Sequence, residues 1–199
     1  MVRRFDVSAL PATPWKNGGG STLEVARWPA AAGIEDFDWR VSIATIAASG
    51  PFSVFPGVDR SITLLEGEGV QLQGEGVAHR LAAPLEPFAF AGDGAVDCRL
   101  LGGASRDFNV MSRRGRVRPQ VRVLRGASEL PVAPHGLLLA WRGDWSTTAM
   151  QGSDHVLRAG QGLWWADADC AWSVACEEAD GALLAVQWQP AAASDTPTR

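Results

Sequence analysis

The feature that most limits what this chain can fold into is the length of its apolar patterns. They come in short alternating runs ended by glycine or proline, and helical periodicity over a long window is absent. Residues 38–44 alternate strictly. Trp39, Val41 and Ile43 point to one side and Arg40, Ser42 and Ala44 to the other, the period of a half-buried strand. Gly50-Pro51 and Phe55-Pro56-Gly57 interrupt the pattern, and residues 61–65, 70–72, 87–90 and 96–101 resume it between glycine turns. The same style returns from about Val121, in residues 137–141, 156–157, 163–165, 171–174 and 183–186. Nine tryptophans, 22 glycines and 12 prolines fit many turns joining short aromatic segments. That composition favours a sandwich or barrel, so the expected fold class is all-β.

The two halves echo each other. His79 leads through a turn to Phe88, Phe90 and Asp93, as His155 leads to Leu163, Trp164, Trp165 and Asp167. Each run is followed by an Asp-Cys pair, Asp97-Cys98 and Asp169-Cys170. The interval is that of a duplicated unit, although short β segments also resemble one another by chance. Between the halves lie Arg113, Arg114, Arg116, Arg118, Arg122 and Arg125. They alternate with Val117, Val121 and Val123 and carry no aromatic platform. In a chain of net charge -4 this reads as the solvated face of a half-buried strand, not a nucleic-acid surface. Cys98, Cys170 and Cys176 have neither disulfide nor zinc spacing, the N-terminal residues lack an apolar signal core, and no apolar run is long enough to span a membrane. A cytoplasmic protein with no membrane partner is the expectation.

Three segments carry chemical information. In Trp15-Lys16-Asn17-Gly18-Gly19-Gly20 the glycines permit positive φ, and their amides could converge on an anion beside Lys16. A plain turn between strands accounts for the same residues and is favoured on spacing alone. In residues 50–60, Arg60 shares a strand face with Ile62 and Leu64, so it sits at the rim of the core if that face is buried. A guanidinium there needs a carboxylate, either from a ligand or from a distant acid such as Asp93 or Asp107. In residues 107–111, Asp107, Asn109 and Met111 share one face, which suits a pocket wall or a solvent-facing edge.

These segments, with Asp38-Trp39-Arg40-Val41-Ser42-Ile43-Ala44 and Phe90-Ala91-Gly92-Asp93, resemble the HutD/Ves proteins in content and order. The resemblance spans roughly residues 5 to 190, and its specific motifs lie before Met111. It implies a double cupin, two related antiparallel β-barrels in one chain. The N-terminal cupin half would be residues 1–118 and the C-terminal half 119–190, followed by a disordered tail at 191–199. It also implies a link to bacterial histidine utilisation, which such proteins moderate.

Cupins that hold a metal use a close histidine pair, whereas His79, His135 and His155 are far apart. The expectation is no metal and no cofactor. No catalytic residue is assigned. Lys16, Arg40 and Arg60 are the candidates to hold a carboxylate, with Asn17, Gly18, Gly19 and Ser42 assisting. Asp93, Asp107 and Asn109 would receive N–H groups at the ligand's other end, with an aromatic wall from Phe52, Phe90 or Phe108. The expected partner is a small carboxylate metabolite such as urocanate or formylglutamate, sensed without turnover. The alternative is a metal-free isomerase or hydrolase acting on a similar acid. A homodimer is the expected assembly, since exposed cupin strands often pair across a two-fold axis.

Overall fold

The computed structural model describes residues 1–150, 152 and 154–191, and the expected tail falls almost wholly outside them. The chain is built almost entirely of antiparallel strands and divides into two compact units. Strand β1 (Val2–Asp6) runs into a 3-10 turn, Val7–Ala9. The first unit, Pro11–Val117, then contributes β2 (Ala12–Pro14), β3 (Gly20–Trp28), β4 (Trp39–Ile46), β5 (Gly50–Pro51), β6 (Val58–Glu66), β7 (Val70–Gly74), β8 (Val77–Leu81), β9 (Pro87–Ala91), β10 (Val96–Leu100) and β11 (Ser105–Arg113). The second unit comprises Met1–Leu10 and the described residues from Arg118 to Ala191. Its strands are β1, β12 (Val117–Leu124), β13 (Ser128–Ala133), β14 (His135–Arg142), β15 (Trp145–Ala149), β16 (Asp154–Leu157), β17 (Gln161–Trp165), β18 (Cys170–Ala175) and β19 (Ala182–Pro190). Among the described residues no helix is long and apolar enough to cross a membrane.

Each unit is a pair of sheets. The first unit stacks β2-β3-β4-β11-β6-β9 against β5-β10-β7-β8, and the second β1-β17-β14-β19-β12 against β13-β18-β15-β16. Apolar side chains from both sheets of a unit form its core. In the first unit Ile46, Ile62, Leu64 and Phe90 meet Val70, Leu72, Val96 and Cys98. In the second, Leu138, Leu163, Trp165 and Leu183 meet Trp145, Leu157, Trp172 and Val174. Read in chain order, β4 to β11 and β12 to β19 occupy the same places, with the orders β9-β6-β11-β4 and β17-β14-β19-β12 in one sheet of each unit. This is the eight-strand jelly-roll order, used twice.

Two expectations need correction. The hydrogen-bond ladders of the described residues do not close into barrels. The edge strand β5 pairs with β10 at two positions only, Asp97↔Pro51 and Cys98↔Gly50. Pro51 has no N–H with which to extend the ladder. The first ten residues, expected with the N-terminal half, belong to the second unit, because β1 pairs with β17 from Val2↔Trp165 to Asp6↔Gln161.

Candidate ligand-binding site

The inner face of the first unit's six-stranded sheet is set by register. On β11, Met111 lies between Arg40 of β4 and Arg60 of β6. Asn109 lies between Ser42 and Ile62, and Asp107 between Ala44 and Leu64. The rows therefore run from two arginines, through a hydroxyl and an amide, to a single carboxyl among apolar neighbours. A cavity of about 520 Å³ opens over this face. Arg40, Ser42, Ala44, Arg60, Asn109 and Met111 form its sheet wall, Lys16 and Asn17 its rim, and Trp15, Phe52 and Phe55 an aromatic side.

Arg60 is the unusual residue. It is 8% exposed, and its guanidinium carbon lies 5.0 Å from the ring centres of both Phe52 and Phe90 and 5.8 Å from that of Phe55. Its Nη1 donates one long hydrogen bond, 3.3 Å, to the Ser53 carbonyl, and its Nε has no partner. Burial, with a smaller contribution from nearby Arg40, lowers its pKa to about 10. Arg40 is better satisfied, donating from Nε to Glu24 Oε2 at 2.7 Å.

Neither distant acid neutralises Arg60. Asp93 lies outside the cavity wall, as a clasp between loops. It accepts from Gly57 N at 2.8 Å and from Arg114 Nη2 at 2.8 Å, and the Arg114 bond holds its carboxyl below the usual range. Asp107 is fully buried behind the cavity wall, and neither carboxylate oxygen has a hydrogen-bond partner. Burial raises its pKa to about 7. Cys98, reaching inward from the facing sheet, has its thiol pushed up to about 12 by burial and by Asp107, and Arg60 also acts on it electrostatically.

The glycine amides are engaged elsewhere. Gly18 N donates to Trp15 O at 3.0 Å and Gly19 N to Asn17 Oδ1 at 3.0 Å, so Asn17 closes the turn that carries Lys16. Gly18 and Gly19 do not line the cavity. Phe108 faces the opposite side of β11 from Asn109, so the aromatic wall is Phe52 and Phe55 with Trp15, and Phe90 adjoins it through Arg60. Trp15, Thr22, Ile46 and Phe55 were missed as wall residues. Phe55 stood in a turn signal, and the other three carry no spacing that marks them.

Among the described residues no group of three or more His, Cys, Asp or Glu side chains is arranged to hold a metal ion. His79 stacks on Phe88 at 3.7 Å between ring centres, and His155 packs against Trp172 at 5.9 Å.

Comparison with known proteins decides the relationship. The HutD family model matches residues 7–184. The chain belongs to the HutD family. Protein Ves of Citrobacter koseri is 37% identical over 193 residues, covering 96% of this chain and 97% of that protein. An uncharacterized 21.2 kDa protein from the hutC 3' region of Pseudomonas putida is 44% identical over 129 residues, 65% of this chain and 67% of its own length. The solved HutD of Pseudomonas fluorescens SBW25 (formate condition) superposes with a TM-score of 0.80 at 32% identity, covering 96% of this chain and all of that one. At 9% identity, a cupin 2 conserved barrel domain protein from Leptotrichia buccalis superposes with a TM-score of 0.59, over 93% of this chain and 95% of that one. That distant likeness speaks to fold alone, and it makes the family's β architecture cupin-like.

Proposed function

We propose that this HutD-like protein binds a small carboxylate in the first unit and moderates histidine utilisation by sequestering it. Urocanate or formylglutamate would be such an acid. One observation carries the reading: Arg60 keeps a buried cation against a cavity wall with no carboxylate among the described residues to neutralise it. A buried charge is costly unless paired, and a ligand carboxylate placed between Arg60 and Arg40 supplies the missing partner. Lys16 adds charge at the rim, and Asn17, Ser42 and Asn109 offer hydrogen bonds along the wall. The link to histidine utilisation draws on the relatives, one named HutD and one encoded in a hutC 3' region. We read the two units as related cupins, on the strength of their duplicated strand order, and place the protein in the cytoplasm from its unpaired thiols.

Asp107 favours a second reading. A buried carboxyl that titrates near neutrality beside an anion-binding wall is the kind of group a metal-free isomerase or hydrolase uses as acid or base.

Calorimetric titration with urocanate, histidine, glutamate and formylglutamate, followed by analysis of the recovered ligand, separates the two. Saturable binding with the ligand intact is the expected result, and consumption of the ligand would establish the enzyme. Arg60→Ala should weaken the bound acid by at least roughly tenfold, the scale of a lost charge-assisted hydrogen bond. Unchanged affinity in that variant would remove the carboxylate clamp.

A further inference from the structure

Arg60 and Asp107 of the first unit have no ion-pair partner among the described residues, and both belong to the cavity face of one sheet. Arg60 projects from β6 opposite Met111, and Asp107 lies four residues further along β11, opposite Leu64. At about 3.4 Å per residue the two rows are separated by roughly 14 Å of backbone. Arg60 shares its face of β6 with Ile62 and Leu64, and those two pack with Cys98 of the facing sheet in one core. Pairing with each other would be the cheapest way to satisfy them, and the described residues contain no such ion pair. The row between them is polar on the cavity side, with Ser42 and Asn109 on the wall. Asp107 itself is fully buried, but its neighbours Ala44, across the strands, and Asn109, on the same face of β11, both line the cavity.

We propose that the site is built for a ligand with a carboxylate at one end and an N–H-bearing, basic nitrogen at the other. Arg60 takes the carboxylate, and Asp107 accepts from the nitrogen. The inference rests on the anion-binding reading above and narrows it. A plain monocarboxylate leaves Asp107 without a partner, and a dicarboxylate sets a second negative charge toward it. Only an acid that also carries a proton donor satisfies both ends. Asp107 is therefore a specificity-determining residue, and its ionisation should govern which acids enter. The charged or titratable groups on its sheet face or facing the same core are Arg60 on β6, Arg40 on β4 with its partner Glu24 on β3, Cys98 on β10, and His79, which shares its side of β8 with Val77 and Leu81. The facing strand β7 brings only Val70 and Leu72 to that core.

The probes are urocanate and trans-cinnamate, which share an acrylate and a flat ring but differ in ring nitrogen. Affinities would be measured by calorimetry for the wild-type protein, Asp107→Leu and Asp107→Asn, with thermal unfolding as the check on folding. Wild type should prefer urocanate by at least roughly tenfold, and Asp107→Leu should bind the two acids alike. Cinnamate affinity should fall severalfold between about pH 6 and about pH 8 in wild type, as Asp107 ionises, and stay flat in Asp107→Asn. Equal binding of the two acids by wild type, or a preference that survives in Asp107→Leu, overturns the inference and leaves the carboxylate clamp standing. Saturation by neither acid overturns the clamp and the inference together.

Discussion

A carboxyl held without a partner in an apolar core costs the fold least while it keeps its proton. In the folded chain the Asp107 pKa rises from 3.8 to about 7. Between these values the native state holds a proton that the unfolded chain has released, so stability is greatest below the lower value and falls as pH rises toward 7. A rise of that size places the loss across this range on the order of 4 kcal/mol. Urea unfolding at about pH 5 and about pH 8 should show roughly 3 kcal/mol of this decline in wild type and little of it in Asp107→Asn, which should be the more stable protein at the higher pH. The sequence made much of this residue legible. Parity alone put Asp107, Asn109 and Met111 on one face and Arg60 at the rim of the core. Depth was not legible, because spacing along a strand names a face and says nothing of how far below the wall a side chain lies. Asp93 was misplaced for a related reason: its partners, Gly57 and Arg114, are distant in the chain, and no local pattern announces a clasp.

At the scale of elements, strand β4 was readable because it alternates without interruption, and β3 was hidden because it does not. A register shift between Glu24 and Ala26 puts Val25 and Ala26 both in buried positions, which destroys the two-residue period. The turn ahead of β3 uses its glycines for reasons that differ from place to place. Gly18 has φ +71 with open space around it, while a Cβ on Gly20 would lie 2.2 Å from the Thr45 carbonyl oxygen. Gly18→Ala should therefore cost about 1 kcal/mol of backbone strain and leave ligand affinity nearly unchanged. Gly20→Ala must push β3 away from β4, with an expected cost of roughly 1–3 kcal/mol. It should also weaken binding, since Trp15 packs against Gly20 and lines the cavity. Thermal unfolding with calorimetry on the two variants measures both effects.

Across the whole molecule the repeated strand order gives meaning to the echo between the histidine runs. His79 lies on β8 and His155 on β16, and Cys98 lies on β10 as Cys170 does on β18. The echo was visible in the sequence, but the different residues that the second unit carries at the matching positions were not. Matching Trp165 to Phe90, each a core residue of its unit, sets Gly136 in place of Arg60, Ala185 in place of Asn109 and Leu183 in place of Asp107. A Cβ on Gly136 would lie 2.1 Å from the Trp165 ring, so the indole fills the volume that a longer side chain and a ligand would need. Calorimetry should accordingly return one ligand per chain, whereas a stoichiometry of two would mean that Trp165 is displaced. The pairing of β1 with β17 has its own consequence during synthesis. Asp6 leaves the ribosome 155 residues ahead of Gln161, its partner across the ladder. Every strand that pairs within the first unit is translated before that partner appears. A bulky fusion placed before Val2 would therefore burden the unit translated last and spare the cavity-bearing unit that follows it directly in the chain.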